Sequence, residues 1–388
     1  MNACLKVCAV TGTRADYGPM MPALKAIDAE PMLNLQIIAT GTHLSAKHGL
    51  TYQSIEADGL TVAEKVVILD ESADDSAPEI ARTVGRAFAR FADAYQRLSP
   101  DVILLLGDRY ELMAAAGTAL ILRIPIVHLC GGDVTEGAFD EAIRHSITKM
   151  AAIHCVTNED SAKRVRQLGE NPAHIHVTGN PALDYIQTFT PLSRADLETF
   201  LGFQLRPKNL LVTFHPVTLE RRSSIDLLDE MLDALARFEA HEFGIIITLP
   251  NADTEGLHLI ERIETFAQER ENVCARPSLG QKGYYSAIDH CDCVVGNSSS
   301  GLYEVPSFKT PTVNIGDREK GRIRAASVVD VAGGVGAIYG AIQEALKLDC
   351  SAAVNPYGDG QASARIVEIL KNADVNDPTL IKKAFFNL

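Results

Sequence analysis

The sequence has no apolar run approaching the ~20 residues that a membrane-spanning helix requires. It has no surplus of basic charge: Lys and Arg total 36 against 50 Asp and Glu, a net charge of −14 at pH 7. A basic nucleic-acid footprint is therefore excluded. An anionic ligand stays compatible with this balance, because a cleft focuses the field of its own local charges. Arg14, Arg109, Arg318, Arg322 and Arg324 are the candidates for such a local cluster. No internal repeat and no low-complexity tract is visible. The 8 cysteines fall mostly in apolar, strand-like runs, and Cys291-x-Cys293 has strand spacing without a second ligand pair. That argues against zinc and for reduced, buried thiols in a cytoplasmic protein. The first ten residues lack a basic segment and a cleavage site, so they are expected to form a first strand rather than a signal peptide.

What is present is a regular alternation of strand and helix patterns. At 388 residues, 46% hydrophobic and 22% charged, the chain suits two globular domains better than one core. Strands are expected at 5–11, 35–40, 65–68, 102–106, 126–129, 153–156 and 176–178, with helices at 17–29, 76–97 and after Glu111. Ser76-x-x-Glu79 has the form of a capping box. Pro191 and Pro207 punctuate a polar stretch, after which the pattern restarts with strands at 210–214, 243–249, 273–276, 293–296 and 312–315 and helices at 223–238, 256–268 and 336–346. The expected fold is α/β, with two Rossmann-like domains at 1–187 and 188–361 facing one cleft, and terminal helices at 362–371 and 378–386 packing back on the first domain.

Open α/β sheets bind ligands beyond the carboxyl ends of their strands. Polar residues accumulate at those positions: Thr11-Gly12-Thr13-Arg14, Gly41-Thr42-His43, Gly107-Asp108-Arg109, Gly131-Gly132-Asp133, His215-Pro216 and Asn251-Ala252-Asp253. The densest case is Gly296-Asn297-Ser298-Ser299-Ser300-Gly301, a turn with two glycines and three serines between an apolar strand and a helix-like segment. Such a turn suits phosphate, through backbone N–H groups and hydroxyls at a helix start. It also has the form of an ordinary strand–helix connection with a serine cap.

Five segments in order resemble the hydrolysing UDP-N-acetylglucosamine 2-epimerases. They are Gly12-Thr13-Arg14-Ala15-Asp16-Tyr17-Gly18, Gly107-Asp108-Arg109-Tyr110-Glu111, Asp140-x-x-x-Arg144-His145-Ser146-Ile147-Thr148-Lys149, Phe214-His215-Pro216-Val217-Thr218 and the serine turn. The matches span residue 11 to Arg318. The resemblance implies a glycosyltransferase B architecture, no metal or other cofactor, a homodimer, and a UDP-sugar substrate. The implied reaction is anti elimination of UDP to a glycal, followed by water addition with inversion at carbon 2. The implied sugars are N-acetylglucosamine or 2,4-diacetamido-2,4,6-trideoxyglucose, on the way to sialic or legionaminic acid.

By that resemblance Asp108, Asp140 and His215 are catalytic. Asp108 is equally placed to cap the helix at Glu111, and Asp140 to favour a helix start. Arg144 stands at i, i+4 from Asp140 and could pair with it. Many relatives carry a glutamate where this chain has Cys130, so the second carboxylate is assigned to Asp133, with Glu136 in reserve; an Asx turn is the plain alternative for Asp133. For binding, Arg14, Arg318, Ser298 and Ser299 match diphosphate positions, Glu304 a ribose-holding carboxylate, and Asn251 and Tyr284 positions near the nucleotide, while His43 and Arg109 touch the sugar or stabilise the cleft and Arg144 is counted among the substrate-binding residues. Lys320, Arg322 and Arg324 are expected on a solvated basic face. A glycosyltransferase, a non-hydrolysing epimerase and an inactive nucleotide-sugar sensor are the competing readings.

Overall fold

The computed structural model describes residues 4–387, apart from 71, 73–75, 136–139, 217–222 and 251–253. The chain divides into two compact units, one holding the N-terminal sheet together with Tyr357–Leu388, the other holding Phe189–Pro356.

The first unit contains strands β1 (Leu5–Thr11), β2 (Leu33–Thr40), β3 (Val62–Val66), β4 (Val102–Leu106), β5 (Ile126–Leu129), β6 (Ile153–Val156) and β7 (Ile175–Val177). They form one parallel sheet in the order β3-β2-β1-β4-β5-β6-β7, which is a doubly wound order. Alternate residues of β1 enter different cores. Val7 and Ala9 pack with Met20, Leu24 and Ile27, while Cys8 and Val10 pack with Phe91, Tyr95 and Leu112. Both faces of the sheet are thus covered, as parallel sheets require.

The helix Ala362–Asn372 adds Ile366 and Leu370 to the first of these cores. Beyond it, the helix expected at 378–386 is only a 3-10 turn, Pro378–Leu380. The rest of the tail is held by Lys383, whose Nζ donates to the carbonyls of Lys149 at 2.8 Å and Ala151 at 2.6 Å and to Glu170 Oε2 at 2.7 Å. The backbone is tied away as well, with the Phe386 N–H donating to the Gly169 carbonyl at 2.9 Å. The expected capping box at Ser76 also fails. Ser76 occupies the cap of Ala77–Leu98 without a side-chain capping bond, and Glu79 turns instead to Arg82 and Arg86.

The second unit contains β8 (Lys208–Thr213), β9 (Phe243–Thr248), β10 (Val273–Arg276), β11 (Cys293–Gly296), β12 (Thr312–Ile315) and β13 (Val328–Val331). Its parallel sheet runs β10-β9-β8-β11-β12-β13. Leu210, Val212, Ile245, Ile247, Val295 and Val313 share a core with Leu228, Met231, Ile263, Ile338 and Ile342. In this order β8 and β11 are the central neighbours, so His215 and the serine turn emerge side by side. Among the described residues no helix is long and apolar enough to cross a membrane.

Candidate active site

In the first unit, β1 ends at a capping box. Thr13 Oγ1 accepts from the Asp16 backbone N–H at 3.3 Å, and Asp16 Oδ1 accepts from the Thr13 N–H at 2.7 Å. This starts the helix at Arg14, three residues earlier than the apolar pattern suggests. Arg14 itself is exposed on the first turn.

The β4 end turns through Gly107, whose φ of +81° favours glycine. The following helix, Tyr110–Ile121, is capped by Arg109, so Asp108 is not its N-cap. The Asp108 carboxylate instead pairs with the Arg144 guanidinium. Arg144 is only 7% exposed; it also pairs with Glu141 at 3.0 Å and donates to the Asp133 carbonyl at 2.7 Å. It is therefore a buried clamp on the acidic group rather than an outward ligand, and its partners lie beyond the expected i, i+4 pairing with Asp140. Asp140 opens the helix Asp140–Met150. Burial raises its pKa, and the neighbouring Asp108 charge raises it further against Arg109 and Arg144. The Asp108 charge thus bears on the Asp140 carboxyl.

Asp133 is placed differently. Its Oδ1 accepts from Thr157 Oγ1 and Ser161 Oγ, both at 2.6 Å, and the residue is buried. These bonds tie the β5 end to the β6 end and to the start of the helix Glu159–Gln167, the posture of an anchor. Cys130 is half-buried with φ of +60°, and lost hydration and the Asp133 carboxylate push its thiol well up, so it stays neutral. Glu136, the reserve acid, and Asn251 lie outside the described residues.

His43 is fully buried, with its ring nitrogens 3.0 Å from Thr11 Oγ1 and 2.8 Å from Thr51 Oγ1. Burial lowers its pKa, and its two bonds tie the β2 end to the β1 end and to Thr51. Arg109 Nε donates to Glu111 Oε1 at 2.7 Å. Glu111, read in sequence only as part of a motif, is 1% exposed, and its Oε2 has no hydrogen-bond partner among the described residues. Its carboxyl lies so close to Gly12 that a Cβ there would meet Oε1 at 2.1 Å. Burial raises its pKa against the pull of Arg109. His128 was also missed. It sits in a buried strand with Nε2 2.8 Å from the Gly107 carbonyl, below the turn that carries Asp108, and burial lowers its pKa to about 3.

In the second unit the helix opened by the serine turn is a single turn, Ser300–Tyr303, followed by a 3-10 turn, Val305–Phe308. A helix dipole is correspondingly weak here, and anion binding rests on backbone N–H groups, hydroxyls and arginine. Ser298 and Ser299 are half-buried, with Ser298 Oγ accepting from the Ser300 N–H at 3.4 Å. Arg318 Nη1 donates to the Asn297 carbonyl at 3.0 Å and to Glu319 Oε1 at 2.6 Å. Arg322 is not on a solvated face: its guanidinium is 2.6 Å from the other oxygen of buried Glu319 and 5.0 Å from the Tyr303 ring centroid. Arg324 donates to the Glu319 carbonyl at 2.8 Å and pairs with Asp330, while Lys320 is exposed. Glu304 is half-buried and accepts from the Tyr285 hydroxyl at 3.2 Å; burial raises its pKa. Burial pushes the Tyr284 phenol up to about 12, and its neighbours are Ser300, Glu304 and Thr213. Among the described residues no cluster of three or more His, Cys, Asp or Glu is arranged to hold a metal ion.

The family described as UDP-N-acetylglucosamine 2-epimerase matches residues 25–371. The chain is similar to a GDP/UDP-N,N'-diacetylbacillosamine 2-epimerase (hydrolyzing) of Campylobacter jejuni, 38% identical over 84% of each chain. It is similar to a UDP-N,N'-diacetylbacillosamine 2-epimerase (hydrolyzing) of Legionella pneumophila, 35% identical over 97% of this chain and 98% of the relative. Among solved structures, UDP-GlcNAc 2-epimerase from Neisseria meningitidis bound to UDP-GlcNAc aligns with a TM-score of 0.75 at 19% identity, over 95% of this chain and 100% of that one. At that identity the likeness is one of fold.

Proposed function

The chain belongs to the hydrolysing UDP-N-acetylglucosamine 2-epimerase family, and we propose that it converts a UDP-2-acetamido sugar and water into UDP and the free, carbon-2-inverted sugar. The observation that carries the mechanism is Asp108 at the end of β4, paired with the buried Arg144 guanidinium, with its charge bearing on the carboxyl of Asp140 at the start of the helix that also carries Arg144. One carboxylate takes the proton at carbon 2 while the bond from carbon 1 to the diphosphate oxygen breaks. The electron pair leaves with UDP, and a carbon 1–carbon 2 double bond remains. Water then adds its oxygen to carbon 1, and carbon 2 gains a proton on the opposite face. His215 serves the water and proton steps, since an imidazole can act as acid or base near neutrality.

The two units divide this work. The N-terminal unit supplies the carboxylates, and the C-terminal unit holds UDP through Ser298, Ser299 and Arg318 at the diphosphate and Glu304 at the ribose. Arg14 is assigned to the diphosphate and Arg109 to the sugar, and Tyr284 lines the nucleotide end. Preorganised donors on a leaving group commonly supply the larger part of such catalysis. Asp133 and Arg144 position the carboxylates.

For the substrate we favour UDP-2,4-diacetamido-2,4,6-trideoxyglucose over UDP-N-acetylglucosamine, which places the enzyme in nonulosonic acid biosynthesis. The relatives named for diacetylbacillosamine support this choice. The free thiols support a reducing cytoplasm, and we expect a homodimer. Offering each nucleotide sugar separately, without any acceptor, tests the reading. Release of UDP together with free manno sugar from the diacetamido substrate is expected. Turnover of UDP-N-acetylglucosamine alone would reverse the substrate choice, and turnover only with an added acceptor would replace the epimerase by a glycosyl transfer.

A further inference from the structure

Asn297 lies inside the serine turn, where its type suggests one more polar group facing an anion. The structure points it the other way. Gly296, with φ of +138°, presses the turn onto β8 so closely that a Cβ there would come within 1.9 Å of the Thr213 carbonyl oxygen. The Asn297 N–H donates to that same oxygen at 3.2 Å. Its side chain, 0% exposed, then folds back on the neighbouring strand end. Oδ1 accepts from the His215 backbone N–H at 2.7 Å, and Nδ2 donates to the His215 carbonyl at 2.8 Å. Only an amide puts a donor and an acceptor on one planar carbon at this reach. The Asn297 carbonyl meanwhile receives Arg318, which is itself braced by buried Glu319.

We propose that Asn297 is a positioning residue for His215, holding the histidine backbone from both sides and joining it to the arginine that grips the diphosphate. The proposal rests on the catalytic role given to His215 above. Glycine at 296 is part of the device, since any side chain there would push the turn off β8 and carry the amide away from His215. The arrangement makes one rigid piece of the leaving-group grip and the acid–base group. Misplacing a catalytic group by about 1 Å costs on the order of 10²-fold in rate.

Asn297→Asp keeps the shape and the acceptor for the His215 N–H but faces the His215 carbonyl with a second acceptor. Steady-state UDP release should show kcat lowered about 10²-fold, with KM and calorimetric UDP affinity changed less than about threefold. In a His215→Ala background the same substitution should have no further effect on the residual rate, because the two residues act as a unit. If Asn297→Asp fails to fold, Asn297→Ala serves in its place, removing both bonds. Full kcat in the variant, a loss confined to UDP affinity, or a loss that multiplies with that of His215→Ala would overturn the proposal. A His215→Ala enzyme with full turnover would remove the role of His215 itself, and this inference with it. An inactive His215→Ala beside a fully active Asn297→Asp would remove only the inference.

Discussion

Replacing Arg144 by methionine keeps most of the alkyl packing and removes the guanidinium. The Asp133 carbonyl, which accepts from Arg144 at 2.7 Å in a buried setting, loses its donor, at a cost of about 1–3 kcal/mol. Asp108 and Glu141 lose their cation, but they are 24% and 29% exposed. Water therefore replaces part of what is lost, and each pair is worth about 1 kcal/mol or less. Together this is roughly 3 kcal/mol, and at about 2–4 °C per kcal/mol for a domain of this size the melting temperature should fall by about 6–12 °C. The carboxylate left without its clamp should also lower kcat by about 10²-fold. Thermal melts by circular dichroism and UDP-release kinetics on the same preparations measure both effects. A raised KM with an unchanged melting temperature would identify Arg144 as a substrate ligand and refute the clamp. No change in either would leave the buried pair without consequence.

Asp140 has a pKa raised by burial and by Asp108, so it takes up a proton at higher pH than an ordinary aspartate, near 3.9. If its carboxylate is the base, the acid limb of kcat/KM lies above that value, and Asp108→Asn should shift the limb of the residual activity downward; an unmoved limb would separate the two groups. Glu170 is 2% exposed, and although burial raises its carboxyl, His154, Lys149 and Lys383 overcome this and hold it at about 2. Its stabilisation is therefore complete above its unfolded pKa of about 4.3 and is lost as pH falls toward 2. Lys383→Ala should lower the melting temperature at pH 7, with the difference from the parent narrowing below about pH 4. An equal difference at all pH values would show that the lysine acts only through the two carbonyls. Glu304→Gln should weaken calorimetric UDP affinity about tenfold, the worth of one charge-assisted hydrogen bond, and unchanged affinity would remove it from the ribose site.

The strands were legible because runs such as Val102-Ile103-Leu104-Leu105-Leu106 are too short and too apolar for anything but a sheet buried on both faces. The polar residues at their ends followed from the same pattern. Side-chain direction was less accessible. Arg144 could be paired from spacing only with Asp140, four residues away, whereas its clamp on Asp108 spans 36 residues and needs β4 and β5 as neighbours. The inward turn of Asn297 was not accessible from sequence, because it depends on Gly296 lying against Thr213. The tail residues Leu380, Ile381 and Phe385 have helical spacing, but their segment is held by distant partners, Lys383 by Glu170 and the Phe386 N–H by the Gly169 carbonyl. Glu111 carried no signal beyond its motif and His128 none, since their roles come from what burial places over them.

The central claim is that carbon 2 loses its proton during loss of UDP. Turnover of the diacetamido nucleotide sugar in D₂O, read by NMR and mass spectrometry of the released sugar, tests it directly. The account predicts free manno sugar with one deuterium at carbon 2 for every UDP formed. UDP release with carbon 2 still carrying its original hydrogen, or an inverted sugar still attached to UDP, would contradict it.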